Sequence, residues 1–483
     1  MSAFTCSEKK IATTGKNQKW SVFALVAIAI FMSTLDSSIV NIALPEIMDD
    51  LGASFELIQW IVVIYLLTIS STLLAFGRLS DIKGRRWVYC NGFFWFTLGS
   101  LLCGSARVAE MLIASRAFQA IGSAMLMACS PALVVDAFPL KERGKALGLV
   151  GTVVATGLTA GPALGGVIIE HFNWRTIFLI NIPIGTIALM AAWRILKGTA
   201  ANGASNEPFD WMGAACLTVT LFSLMTFLLH LNQWALRSPR MLALLATSAV
   251  GLLLFVFVER RTNYPIADIQ ILKNRFFIVS VVCATILFAG LFTITFLMPF
   301  YLMRPAGFDA QRAGTIMMIP FAFLFFISPL SGWLSDRVGS SVLCFAGMGL
   351  LATSLFCFTT LYPTQNLCPV CWRLALAGIG VALFLPAYNA SAMSAVPANK
   401  RGIASGTIAA ARNFGMVCGV ALSGVIFSRS YAMLSGGLNA NVYEPSLRLV
   451  FLEAFQHAML AGTLLVAFGW LLTLFRGQAQ SDH

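Results

Sequence analysis

Residues 77–84 read Gly77-Arg78-Leu79-Ser80-Asp81-Ile82-Lys83-Gly84, and residues 332–339 read Gly332-Trp333-Leu334-Ser335-Asp336-Arg337-Val338-Gly339. The shared frame, Gly-x-Leu-Ser-Asp-x-x-Gly, returns at an offset of 255 residues. A second pair agrees with the first. Ala137-Phe138-Pro139, followed by Arg143-Gly144 and Gly148, aligns with Ala395-Val396-Pro397, followed by Arg401-Gly402 and Gly406, at an offset of 258. Two separate signatures at nearly one offset indicate a duplicated chain. Both lie in short polar stretches between long apolar runs. Duplicated helical halves with a substrate site between them, near the bilayer midplane, are how secondary transporters are built.

The apolar runs settle the solvent. Of 483 residues, 58% are hydrophobic and only 11% charged, with mean hydropathy +0.82, whereas a soluble domain carries about 25% charge. The runs are continuous rather than alternating, which excludes a transmembrane β-barrel. Fourteen are long enough to span, from 21–43 to 455–475, each close to the roughly 20 residues a bilayer needs. An even count puts both ends on one side. The net charge of +12 is therefore read as a topology signal and not as a nucleic-acid footprint. With the N-terminus inside, twenty-one basic residues fall on the cytoplasmic side and nine outside. This predicts a multi-pass protein of the cytoplasmic membrane with both termini cytoplasmic.

The expected fold is all-α and integral to the membrane: two six-helix bundles with two central helices inserted between them. The boundaries read as a cytoplasmic tail 1–20, an N-terminal bundle 21–197, a linker 198–275 carrying the two extra spans, a C-terminal bundle 276–476 and a tail 477–483. Eleven cysteines are scattered, mostly in apolar runs, and imply no disulfide framework. Cys368 and Cys371 form a single C-x-x-C without a second pair, which is a poor metal site.

Three stretches carry a family resemblance. Gly77 to Arg86 resembles the loop motif between helices 2 and 3 of the major facilitator superfamily. Leu35-Asp36-Ser37-Ser38-Ile39-Val40-Asn41-Ile42-Ala43-Leu44-Pro45 resembles the helix-1 signature of its fourteen-helix drug:proton antiporters. Gly148, Gly157, Gly161, Pro162, Gly165 and Gly166 fit the antiporter pattern G-x₈-G-x₃-G-P-x₂-G-G on helix 5. The sequence departs from the family where Ile82 replaces a basic residue, Ala120 replaces a glycine after Arg116-Ala117-Phe118-Gln119, and Ser340-Ser341 replaces the basic pair of the second loop copy. The resemblance implies the major facilitator fold, alternating access, and a cytoplasmic gate of Gly77, Asp81, Gly84, Arg85, Arg86 and Asp136, with Asp336 as the second copy of the loop acid. It implies that Asp81 latches the halves near the start of helix 11 when the outside is open. A helix N-terminus favours a carboxylate, so the physics agrees.

Charged residues at membrane depth are functional by default, because each costs several kcal/mol unless it is paired or solvated. Asp36 lies seven residues before the end of the first apolar run, about 10 Å at 1.5 Å per residue, and Arg116 lies about 9 Å from the same side on helix 4. The matched depths predict a pair that exchanges a proton under the influence of the guanidinium. A static pair that holds helices 1 and 4 together is the alternative. Arg412 falls near the bilayer centre on helix 11 and must face a polar cavity or a partner. Asn41, Trp60, Tyr65, Phe292 and Phe296 are further candidates for the cavity lining.

The leading functional expectation is proton-driven export of hydrophobic or cationic drugs and toxic compounds. The partners are a small amphiphilic substrate, protons and the bilayer, and the chain is expected to be monomeric. Lipid flipping or export of one metabolite is the alternative within the same fold. No cofactor or metal is expected, and no G-x-x-x-x-G-K-[ST] segment is present to bind a nucleotide. Only four histidines occur in the chain, too few for an integral-membrane enzyme with clustered acid, base or metal ligands.

Overall fold

A computed structural model describes residues 16–139, 142–196, 210–231, 234, 237–262, 274–362, 366–396, 401–440 and 443–474. The expected tail 477–483, most of the tail 1–20 and both ends of the linker 198–275 lie outside the described residues.

Among the described residues sixteen α-helices form a first half, α1 (Lys16–Leu51), α2 (Phe55–Lys83), α3 (Arg85–Gly104), α4 (Ala109–Ala137), α5 (Arg143–His171), α6 (Thr176–Leu179) and α7 (Asn181–Ile195), a central pair, α8 (Trp211–Leu229) and α9 (Pro239–Arg261), and a second half, α10 (Arg275–Met303), α11 (Ala310–Met317), α12 (Ile319–Val338), α13 (Ser340–Phe358), α14 (Cys368–Ser394), α15 (Arg401–Leu434) and α16 (Arg448–Leu474). Helix α6 leads into α7 and α11 into α12, so the sixteen helices make fourteen spans. Among the described residues thirteen segments are individually long and apolar enough to cross a bilayer. The fourteenth is α3, whose Trp87, Tyr89, Asn91 and three glycines dilute its hydropathy. Its 20 residues still measure about 30 Å, the thickness of the hydrocarbon core.

The duplication reaches the backbone. Gly84 ends α2 with φ 89°, ψ 138°, and Gly339 ends α12 with φ 92°, ψ 143°. Only glycine adopts such a positive φ readily, so the last glycine of each loop signature makes the same sharp turn. The packing repeats as well. Helix α5 lies on α1 as α15 lies on α10, α3 lies on α4 as α13 lies on α14, and α2 lies on α4 as α12 lies on α14. The two halves meet along α2 with α15 and along α5 with α11 and α12. Helices α8 and α9 pack on each other, where Gly251 sits against Thr220, and α8 covers the seam of α2 and α15 from outside. Helix α9 presents exposed Leu242, Leu245, Leu252, Leu253 and Phe257, as a lipid-facing span does.

Several helices outrun their apolar cores. Helix α1 continues eight residues past Ala43 through Pro45 to Leu51, and α16 begins at Arg448, seven residues before the apolar run. Hydropathy marks the part of a helix inside hydrocarbon, while hydrogen bonding continues into the headgroup layer.

The halves are pressed together at one end and parted at the other. At the end carrying Gly52, Phe55 of α2 meets Phe296, Phe300 and Phe427 with ring centroids 5.6, 5.2 and 5.1 Å away. Arg304 pairs with Asp49 at 2.7 Å across the seam, and Ser428 Oγ donates to Glu56 at 3.3 Å. Toward the end carrying Gly84, no atom lies within 4 Å of where a Cβ would sit on Gly144, Gly148 or Gly151 of α5, and Pro131 of α4 and Asn389 of α14 are exposed. The space between the halves thus opens toward the Gly84 face.

Candidate functional site

Asp36 lies fifteen residues before the end of α1 and not seven, because the helix projects past its apolar run. It still meets Arg116, for α4 runs beside α1. Arg116 Nη1 donates to Asp36 Oδ2 at 2.5 Å and to Gln119 Oε1 at 2.6 Å. Gln119 Nε2 donates to Asp36 Oδ1 at 2.7 Å and to Ser100 Oγ of α3 at 2.9 Å. Asn181 Nδ2, at the start of α7, donates to Asp36 Oδ1 at 3.2 Å. The carboxylate therefore receives three donors from two helices and exposes none of its side chain.

The guanidinium is held as closely. Its carbon lies 3.9 Å from the Tyr65 ring centroid and 5.6 Å from that of Phe178, a cation–π sandwich worth most where water is excluded. Arg116 Nε donates to the Ile61 carbonyl at 3.5 Å, and the Tyr65 hydroxyl donates to Ser123 Oγ at 3.0 Å. Unpaired, either charge would carry a penalty of several kcal/mol. Together with these hydrogen bonds the pair is a closed polar island in an apolar wall.

The opposite side of α1 rests on the glycine pattern of α5. A Cβ on Gly157 would collide with Thr34, on Gly161 with Ser38, and on Gly165 with Ile39 and Ile42. The other face of α5 crosses to the second half, where Gly166 meets the backbone of Ala310 and the Pro162 carbonyl meets Gly314. One helix thus links the Asp36 helix to the seal at the Gly52 face. Gly148 takes no part in this packing.

At the Gly84 face Arg85 pairs with Asp136, lies 3.9 Å from Asp81, and donates to the Ala132 carbonyl at 3.2 Å. Arg86 donates to the Trp193 carbonyl at 3.2 Å, tying α3 to α7. Where α2 approaches α15, Leu74 fills the space beside Gly406. Gly77 packs against nothing within 4 Å of its missing Cβ, and the side chain of Asp336 lies outside the described residues.

The other cavity candidates separate. Tyr65 belongs to the Arg116 sandwich. Asn41 donates to the Ser37 carbonyl at 3.0 Å within α1. Trp60 turns outward to His230 of the central pair, 6.5 Å between centroids. Phe296 joins the aromatic seal, while Phe292 is buried on the same helix. Arg412 stands apart, its carbon 6.0 Å from the Phe288 ring centroid. Gln119, the end of the Arg116-Ala117-Phe118-Gln119 stretch, and Asn181 carry no sign of this role in the sequence. Their contact with Asp36 depends on how α4 and α7 cross α1, which no sequence spacing expresses.

Two helical bundles of one design, with a polar pair buried inside the first and a seam closed at one end, are the build of a secondary transporter. Residues 26–420 match the family model described as Major Facilitator Superfamily, and the chain belongs to that superfamily. It is 35% identical over 417 residues to the riboflavin transporter RibZ of Clostridioides difficile strain 630, covering 86% of this chain and 89% of that protein. It is 32% identical over 429 residues to the multidrug resistance protein Stp of Mycobacterium tuberculosis strain H37Rv, covering 88% and 79%, and 30% identical over 421 residues to the multidrug transporter protein MdtP of Bacillus subtilis strain 168, covering 87% and 77%. In fold it is similar to a crystal structure of a bacterial homologue of the human lysosomal transporter Spinster, inward-facing and unoccupied. That TM-score is 0.67 at 16% identity, over 96% of this chain and all of that one.

Proposed function

We propose that the protein is a proton-coupled antiporter that exports small hydrophobic or amphiphilic compounds across the cytoplasmic membrane, with the Gly84 face in the cytoplasm. The observation that carries this reading is the Asp36 site. Asp36 is the sole carboxylate of the described spans that lies more than about two turns from a helix end, and three donors converge on it. In this cycle a proton reaches Asp36 as α1 moves against α4 and α7, and α5, which packs on α1 through Gly157, Gly161 and Gly165 and on the second half through Gly166, carries that movement to the Gly52 face. The present arrangement, closed at the Gly52 face, is in this cycle the one open to cytoplasmic substrate.

The multidrug names of Stp and MdtP support a broad substrate range, and the identity to RibZ supports a second reading, export of one planar metabolite. A toxicity profile separates them: cells lacking the protein become sensitive to many unrelated amphiphiles in the first case and to none in the second.

Coupling is tested in proteoliposomes with an imposed pH gradient and an amphiphilic dye. Wild type accumulates dye in proportion to the gradient, whereas Asp36→Asn, which keeps the shape and most hydrogen bonds, loses gradient-driven accumulation. Full gradient-driven transport by Asp36→Asn removes the coupling assignment.

A further inference from the structure

In the described spans Arg116, Arg373 and Arg412 are drawn off the surface, and the first two are satisfied. Arg116 has Asp36. Arg373 of α14 donates to the carbonyls of Cys357 and Pro369 at 2.7 and 2.6 Å and to Thr360 Oγ1 at 3.2 Å. Arg412, eleven residues into α15 and the deepest of the three, makes no ion pair among the described residues, and its buried Nε has no hydrogen-bond partner. Its position explains how it survives there. Helices α14 and α15 scarcely touch, so a side chain that leaves α15 beside Phe288 of α10 and comes within electrostatic reach of Tyr388 on α14 enters the space between them. Arg412 is partly buried there, its Nε wholly so. Every carboxylate of the described spans except the paired Asp36 lies within about two turns of a helix end, so nothing at this depth neutralises it.

We infer that Arg412 makes the central cavity an anion site: a substrate is an amphiphile whose apolar body lies on Phe288 and whose carboxylate, sulfonate or phosphate group meets the Arg412 guanidinium. The inference deepens the export reading above and rests on it for direction only, since it concerns which sign of charge the cavity accepts. A guanidinium presents a planar fork of donors matched to two-oxygen anions. The ring of Phe288 offers the flat apolar surface an aromatic substrate needs. The same charge repels lipophilic cations, which no free carboxylate here attracts, so the cationic drugs expected from the sequence are disfavoured.

The test uses full-length protein in phosphatidylcholine nanodiscs, with equilibrium binding of two xanthene dyes that differ in charge, fluorescein (anionic) and rhodamine 6G (cationic), and with empty discs subtracted. Fluorescein should bind wild type at least about tenfold more tightly than rhodamine 6G, the ratio that corresponds to 1.4 kcal/mol. Arg412→Gln should abolish that preference, Arg412→Lys should keep most of it, and Arg412→Glu should reverse it. Unchanged thermal melting of the variants in detergent separates a charge effect from misfolding. Equal binding of the two dyes by wild type, or a preference that survives Arg412→Gln, overturns the inference. No gradient enters this measurement, so a failure of proton coupling leaves it untouched. Repeating it with phosphatidylglycerol in the discs distinguishes two sources of the anion. Competition that depends on Arg412 assigns the site to a lipid headgroup, and absence of competition assigns it to a soluble amphiphile.

Discussion

The two halves share one backbone plan and have opposite chemistry. Gly157 and Gly161 admit α1 as Gly415 and Gly419 admit α10, and Gly84 and Gly339 turn alike. The polar residues differ. Arg116 of α4 holds a carboxylate, whereas Arg373, close to the same place in α14, holds the Cys357 carbonyl near the end of α13 and the Pro369 carbonyl of its own helix. Arg85 pairs with Asp136 in the first loop, while Ser340 stands where Arg85 would recur. Backbone packing needs the glycines twice, because both bundles are built by the same close approach of helices. Among the described residues a carboxylate far from the helix ends occurs in one half only, at Asp36. In our reading the first half moves the proton and the second, through Arg412, reads the substrate.

That contrast can be broken most sharply at Asp36. Asp36→Asn should lower gradient-driven dye flux by about a hundredfold, as removal of a group used in the cycle does, and should flatten its pH dependence. Arg373→Met should leave the pH dependence as it is. The reverse result would move the coupling site into the second half.

Stability offers the next largest effect. Arg116→Ala strands a buried carboxylate and should cost about 3–5 kcal/mol, measured by melting in detergent at neutral pH. Arg373→Met removes donors from carbonyls and should cost about 1–3 kcal/mol. A loss for Arg373→Met as large as that for Arg116→Ala would show that the carbonyl cluster stabilises its half as much as the ion pair does.

The glycines sharpen the shared side of the comparison. Gly161→Leu and Gly419→Leu each force a side chain into a neighbouring helix, and overpacking of this kind costs about 1–3 kcal/mol or more. Both should lower melting temperature similarly, but only Gly161→Leu should also impair coupling, since α5 packs on the helix of Asp36 whereas α15 packs on α10. Gly148→Leu, at an open position, should do little to stability.

The smallest expected change is at the loop. Arg85→Ala breaks a partly exposed ion pair and should cost no more than about 1 kcal/mol of stability, while it slows transport if the pair helps close the Gly84 face. Flux in proteoliposomes against melting temperature tells the two effects apart.

The sequence by itself determined the solvent, the duplicated plan and the fourteen spans. Those follow from composition, from repeats along one dimension and from the fixed length a helix needs to cross hydrocarbon. It also determined that Asp36, Arg116 and Arg412 demanded partners, since a charge in hydrocarbon cannot go unanswered. Which partner each received was decided only by tertiary structure. Gln119 and Asn181 reach Asp36, Trp60 leaves for His230, Phe296 joins a seal begun by Phe55, and Arg412 has no ion pair among the described residues. Each outcome depends on the rotation and crossing of helices far apart in the chain. Hydropathy is blind to those, because it records how apolar a helix is and not which neighbour its polar residues meet.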